Sequence, residues 1–281
     1  MAMFEKILRR ATRANAPATQ PVVGKVLAQV DKAALFAAYC DYAVTDYATV
    51  RDFCDSAERL PDLLQYDGDL KDAQRPWMVK AVIASVAPGA RLVEIGGGEP
   101  RVAAALTELG YDVTVVDPYD GAGNGPTEYE RYRQQYPQVR LVKERFGAHL
   151  PLAEASLEAV YSVSVLEHLP AAELDALYAG MRRFLQPGGY SIHCFDSVIE
   201  GRDTAYCDAQ SNLILQLQAQ LAGQTPDAAA YTHLLAALRA DLETFYLSAQ
   251  GHQLWRQGLG QSYDEFPFRK VVSVQTRVRR A

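Results

Sequence analysis

Glu94-Ile95-Gly96-Gly97-Gly98 follows a short apolar run that begins at Leu92, and Pro100 then opens a segment with helical apolar spacing. That order predicts a strand, a glycine bend and a helix. Glycine lacks a Cβ, so the backbone at Gly96 and Gly98 can approach a bound ligand closely. Roughly twenty residues on, at the end of the next strand-like run, stands Asp117. A carboxylate at that spacing can accept both hydroxyl hydrogens of a ribose. Together the bend and the acid predict a site for an adenosine-containing cofactor. A dinucleotide fingerprint would need a third glycine where Arg101 stands, and no phosphate-binding G-K-[ST] loop is present.

The elements that position these residues alternate in type. Strand-like runs at Leu92 to Ile95, Tyr111 to Val116, Val139 to Val142, Leu157 to Val165 and Tyr190 to Phe195 are separated by helical patterns. Such alternation predicts an α/β fold with a mostly parallel sheet covered by helices on both faces. Two further strand-like runs, Thr244 to Leu247 and Lys270 to Val278, bring the expected count to about seven. Residues from about 20 to 86 carry helical spacing instead. Val22, Val26 and Val30 recur at i, i+4, i+8, and Asp31 is placed to cap a helix bearing Leu35, Phe36 and Tyr39. A run at Val50, Phe53 and Cys54 stops near Pro61, and Arg75-Pro76-Trp77 is expected to open another helix. After Asp196 the pattern is helical again, with Leu213, Leu217 and Leu221 on one face. The expected organisation is an N-terminal helical cap over 1–86 and a Rossmann-like domain over 87–281, with a helical insertion at about 197–243.

The E-x-G-x-G form of Glu94 to Gly98 resembles the first motif of the class I S-adenosylmethionine-dependent methyltransferases. Further pieces of that pattern occur in order: the strand-end acid in VTVVDP, the Leu150-Pro151-Leu152 segment, VSVLEHLP after the fourth strand, and FLQPGG before the fifth. The resemblance spans roughly residues 76 to 196; it departs at Pro100, where many members have a third glycine. It implies S-adenosyl-L-methionine as cofactor, with Glu94 supporting the amino-acid end and Gly96, Gly97 and Gly98 against the methionine and ribose parts. By the same resemblance Asp117 binds the ribose, Glu144 and Arg145 lie near adenine, and Ser164 and Val165 line the methionine side. Arg75 is placed to pair with the cofactor carboxylate.

A hydroxyl acceptor must lose a proton during methyl transfer, so a base near the working pH helps. His168, beside Glu167 just past the fourth strand, is the candidate, with Asp196 at the end of the fifth strand as a second. His193 is expected to be a packed core residue, and His149, His233 and His252 structural or surface groups. The tyrosines at 129, 132 and 136 have the spacing of a helix face packed on a sheet. Base-amino methylases end the fourth strand differently from Leu166-Glu167-His168-Leu169, and no proline precedes Cys194 or Cys207 as base-carbon methylation requires. No ordered acidic set for a metal is recognisable. What remains is the expectation of a small-molecule methyltransferase acting at a hydroxyl oxygen. The alternatives are an inactive S-adenosylmethionine-binding regulatory or partner protein and a nucleotide-dependent oxidoreductase.

The chain has 281 residues, 28 basic and 34 acidic, for a net charge of −6. A net anionic surface repels phosphate backbones, which argues against nucleic acid as the main partner. No apolar run approaches the ~18–20 residues of a membrane-spanning helix. The four cysteines are scattered without a C-x-x-C pair, as expected of reduced thiols in a cytoplasmic protein. The leucine-rich faces of 210–240 suit a homodimer interface or an acceptor wall.

Overall fold

The computed structural model describes residues 24–28, 30–122 and 125–281. Within them lie α1 (Lys32–Tyr39), α2 (Val50–Arg59), α3 (Lys71–Ile83), β1 (Arg91–Ile95), α4 (Arg101–Glu108), β2 (Asp112–Val116), α5 (Tyr129–Gln135), β3 (Arg140–Val142) and β4 (Leu157–Val163). α6 (Ala171–Phe184), β5 (Leu185–Glu200), α7 (Thr204–Leu221), α8 (Ala230–Ala240), α9 (Ala249–Gly258) and β6 (Lys270–Arg279) complete the chain. One sheet of six strands runs in the order β3-β2-β1-β4-β5-β6. Its first five strands pair in parallel, and β6 pairs antiparallel to β5. Strand order reverses between β1 and β4, so the carboxyl ends of these two strands flank the crevice in which ligands bind in open parallel sheets.

Alternation along the strands divides the core between the two faces of the sheet. Leu92, Val113, Val115 and Tyr161 pack under Trp77, Met78 and Val82 of α3 and Val102, Ala105 and Leu106 of α4. Val93, Ile95 and Val160 point the other way, against Leu174, Leu177, Tyr178 and Phe184 of α6 and Ile214 and Leu217 of α7. This is the period of two expected where both faces are covered. The N-terminal helices share the first of these cores, with Leu35, Tyr39, Leu60 and Leu63 among its members. A buried ion cluster ties them together. Lys80 of α3 is fully buried, with its Nζ 2.9 Å from Asp52 and 2.7 Å from Asp55, and lies over the rings of Tyr39 and Tyr42.

Several local expectations are corrected. Residues 24–28 and Val30 are not helical; the Val26 and Leu27 N–H groups donate to the Glu108 carboxylate, which fixes an irregular path. Val22 lies outside the described residues. Pro76 sits inside α3 instead of opening it: the helix starts at Lys71, so Pro76 is its sixth residue and offers no N–H to the Asp72 carbonyl one turn back. The Thr244 to Leu247 run makes isolated bridges, Thr49–Thr244 and Tyr246–Val272, and this accounts for six strands where seven were expected. β5 does not stop at Phe195 but continues to Glu200 because β6 pairs with it from Tyr190 to Glu200, and the helix after it begins only at Thr204. Leu217, Leu221 and Leu238 are buried in the core beside α6, and Leu213, Leu234 and Leu235 pack against it.

Candidate cofactor and active site

β1 delivers the glycine bend directly to the crevice. Gly96 and Gly98 have φ of 63° and 51°, a left-handed backbone that favours glycine. The Gly96 N–H donates to the Val116 carbonyl, which locks the bend to the end of β2. A Cβ built on Gly96 would lie 2.7 Å from Val165, and one on Gly97 would lie 2.7 Å from Val115 and 3.0 Å from Glu94. The bend is therefore packed between the two neighbouring strand ends, with no room for side chains.

Asp117 follows β2 and meets the bend. Its Oδ2 accepts the Gly98 N–H at 3.0 Å, and its Oδ1 accepts the Tyr119 N–H at 2.7 Å. The Tyr119 hydroxyl returns to the Gly98 carbonyl at 3.2 Å. Glycine bend and acid thus form one hydrogen-bonded unit. Burial pushes the Asp117 carboxyl above its ordinary range, while the two N–H donors pull it back. Glu94 is 3% exposed, and burial raises its carboxyl to about 8, against the pull of the Tyr161 hydroxyl at 3.3 Å.

These residues border a cavity of about 1230 Å³, larger than the ~300–1,000 Å³ of an ordinary small-molecule site. That volume leaves room for a nucleoside cofactor and a second ligand together. Glu94, Gly96, Gly97, Gly98 and Asp117 line it from β1 and β2. Ser164, Val165 and His168 line it from the end of β4, Arg75 from α3, and Arg145 from beyond β3. The donor set suits S-adenosylmethionine: a buried acid for an ammonium, an arginine for a carboxylate, and an acid beside a bare backbone for a ribose.

Each remaining candidate has a definite place. The Arg75 guanidinium donates to the Gln65 side chain at 2.8 Å, and burial holds its pKa below the usual arginine range. Arg145 bridges Asp120 and Glu173 at 3.0 and 2.8 Å across the cavity mouth. Glu144 is exposed and lies outside the cavity; Phe146, two residues on, lines it. Ser164 has a φ of 52°, rare for a residue with a side chain, and its hydroxyl lies 2.8 Å from Gln74 Oε1 and 3.2 Å from Asp196 Oδ1. Asp196 does not line the cavity. It lies inside β5, paired opposite Ser273, and not at a strand end, because the strand runs on to Glu200. His193 is fully buried between Ser162 and Ser191, and burial pushes its imidazole down to about 3, so it is a packed core residue. Tyr132 and Tyr136 are buried as expected of a packed face, and Tyr132 also reaches the cavity.

Sequence reasoning missed Tyr119, Gln74 and Lys71. Tyr119 was open to detection, since it stands two residues beyond the strand-end acid. Gln74 and Lys71 share α3 with Arg75, but only the packing of that helix shows which of its residues turn toward β4 and β5. Among the described residues no group of three or more histidine, cysteine or acidic side chains is arranged to hold a metal ion, and no helix is long and apolar enough to cross a membrane.

Residues 93–193 match the family model described as a methyltransferase domain. Among solved structures, the chain is similar to a protein from Pyrococcus horikoshii OT3, at 21% identity and a TM-score of 0.36, over 44% of this chain and 52% of that one. The match thus spans about half the length of the Pyrococcus protein. It is also similar to a TehB-like SAM-dependent methyltransferase from Corynebacterium glutamicum, at 17% identity and a TM-score of 0.38, over 57% and 82% of the two chains. A geranyl diphosphate C-methyltransferase from Streptomyces coelicolor A3(2) aligns at 14% identity and a TM-score of 0.45, over 89% and 98%. No curated protein matches the chain. The methyltransferase-domain match over residues 93–193 takes in the glycine bend and the acid that closes β2, and the residues around the cavity they border fit S-adenosylmethionine as cofactor.

Proposed function

We propose that the chain methylates a small molecule, at a hydroxyl oxygen, within the cavity at the carboxyl ends of β1 and β4. The observation that carries this reading is the direct bond between Asp117 and the Gly98 N–H on the rim of a cavity that also takes in His168. Asp117 would hold the ribose, Gly96 to Gly98 the methionine and ribose parts, Glu94 the ammonium and Arg75 the carboxylate. Ser164 and Val165 would border the methionine end, with Arg145 and Phe146 toward adenine. The bound cofactor supplies an electron-poor methyl carbon on a sulfonium.

The protein's own contribution is mainly positional. Alignment of acceptor and methyl can supply ~7–11 kcal/mol of the barrier when geometry is good. His168 faces the cavity half-exposed, and loss of solvation holds its imidazole below the usual range, so a neutral ring is available to take a proton. α7 steadies the turn that bears it: Gln210 Nε2 donates to the Leu166 and Leu169 carbonyls at 3.1 and 2.7 Å. In this reading α3, through Lys71 and Arg75, and α6, through Glu173, Ala176 and Leu177, supply the walls on the acceptor side, and no residue of 197–243 lines the cavity.

The test is transfer of labelled methyl from S-adenosylmethionine into fractions of a small-molecule extract. The expected product is base-stable and extractable, as an ether is, and His168→Gln should lower kcat ~10²–10⁴-fold. Label found only in macromolecules, or in no fraction, would overturn the reading.

A further inference from the structure

α3 turns two cations toward the cavity from one face. Lys71 and Arg75 both line it, and their i, i+4 spacing sets them about 6 Å apart along the helix axis. Gln74, on the same face, fixes how that face is turned. Its Nε2 donates to Asp196 Oδ1 at 2.8 Å, and its Oε1 accepts the Ser164 hydroxyl at 2.8 Å. The start of α3 is thereby held against the ends of β4 and β5. Arg75 lies near enough to Glu94 to act on its charge, on the side given to the amino-acid end of the cofactor. Lys71, one turn nearer the helix start, acts instead on His168.

The cations of the cavity differ in how they are paired. Arg145 is held by Asp120 and Glu173, and Arg75 donates to Gln65. Among the described residues, no carboxylate pairs with the Lys71 ammonium and no acceptor takes a hydrogen bond from it. Asp69, the nearest acid in sequence, is occupied by the Lys71 backbone N–H and the Trp255 indole. Glu167 and Asp196 feel the Lys71 charge, but neither lines the cavity, and burial raises both toward the neutral form. Beyond His168 the wall is apolar, formed by Leu169, Ala176 and Leu177. An acceptor with an apolar body seated there drives water from the ammonium. A desolvated ammonium without a partner is costly, so a neutral acceptor is disfavoured and an anionic one offsets the loss.

We propose that the acceptor is a hydroxylated carboxylic acid with an apolar body, and that Lys71 selects it by pairing with its carboxylate. This rests on the methyl-transfer reading above. With Arg75 given to the cofactor and Arg145 already paired, one unpaired ammonium remains on this side, which suits a single carboxylate better than a diphosphate. Lys71 takes the carboxylate and leaves the hydroxyl to His168. The carboxylate is unchanged by the reaction, so the product keeps its negative charge. Lysine acts here as a point charge, and it reads the sign of the ligand more than the geometry of its head group.

The experiment divides a small-molecule extract on an anion exchanger at neutral pH and offers each fraction to the protein with methyl-labelled S-adenosylmethionine. Label is expected in the retained fraction, in a product that the exchanger retains again. Lys71→Met should raise the apparent KM for that fraction ~10–100-fold, the loss of one charge-assisted contact, with kcat changed far less. Lys71→Arg keeps the charge and should recover most of that loss. Calorimetric affinity for S-adenosylhomocysteine should stay within about twofold in both variants, with circular dichroism confirming their fold. Label confined to the flow-through, or a product that has lost its charge, would overturn the proposal in wild type alone, whatever the variants do. An unchanged KM in Lys71→Met would overturn it too, and so would a loss of S-adenosylhomocysteine affinity in the folded variant, which would give Lys71 to the cofactor. Wild type that binds S-adenosylhomocysteine yet labels neither fraction would instead sink the methyl-transfer reading itself.

Discussion

Replacing Asp117 with alanine tests the cofactor rim at its narrowest point. The side chain has two jobs in the structure: it holds the Gly98 and Tyr119 N–H groups, and it faces the cavity where a ribose would sit. Hydrogen bonds to a charged group are worth about 1.5–3 kcal/mol each. Losing two to the ribose hydroxyls would give a ceiling of about 3–6 kcal/mol, reduced by relaxation and by water that replaces the carboxylate. Every 1.4 kcal/mol is tenfold in affinity, so at least a ~100-fold loss is expected for Asp117→Ala. Asp117→Asn retains one acceptor oxygen and should lose only ~10-fold. The assay is calorimetric titration with S-adenosylhomocysteine, with circular dichroism confirming the fold of each variant. Folded Asp117→Ala that binds within twofold of wild type would refute the ribose assignment.

Other perturbations follow from the same geometry. Glu94 keeps its proton up to about 8 in the folded protein, well above an unfolded glutamate, so the fold binds more protons than the unfolded chain across that interval. Unfolding free energy of the apo protein should therefore fall as pH rises from about 5 to 8, by a few kcal/mol at most, and Glu94→Gln should flatten that slope in chemical denaturation. A ligand ammonium favours the charged carboxylate, so affinity for S-adenosylhomocysteine should rise over the same window, with proton release detectable as a buffer-dependent binding heat. Gly96→Ala forces a side chain into φ 63° and against Val165, and should cost about 1–3 kcal/mol in urea unfolding. Adding Val165→Ala should recover the part due to the overlap and leave the backbone part. Lys80→Met strands Asp52 and Asp55 beside two tyrosines; since Asp55 keeps some solvent, a loss of about 3 kcal/mol is expected from the denaturation midpoint.

The parts of the site legible in the sequence are those written in local spacing. The glycine bend, Asp117, Ser164, Val165 and His168 each sit at a strand end, where chain order and position on the sheet coincide. Positions that depend on partners distant in sequence were harder to read. Asp196 was expected at a strand end, but pairing with β6 extends β5 past it and turns the carboxyl into a buried network. Glu144 and Arg145 are adjacent, yet only Arg145 reaches the cavity, where Asp120 and Glu173 hold it. The strand texture of Thr244 to Leu247 is real in composition, but the neighbouring backbone offers it only isolated bridges. The valine spacing near the N-terminus was overruled at residues 24–28 and Val30 by the Glu108 carboxylate, a contact no periodicity contains.

The central claim is that the bend at Gly96 to Gly98 and the Asp117 carboxylate jointly hold the nucleoside. A crystal structure of the protein with S-adenosylhomocysteine addresses it most directly. The expected result has both ribose hydroxyls within about 2.5–3.2 Å of the Asp117 carboxylate and the amino-acid end between Glu94 and Arg75. A nucleoside bound away from the Gly98–Asp117 contact, or with its ribose turned from that carboxylate, would contradict it.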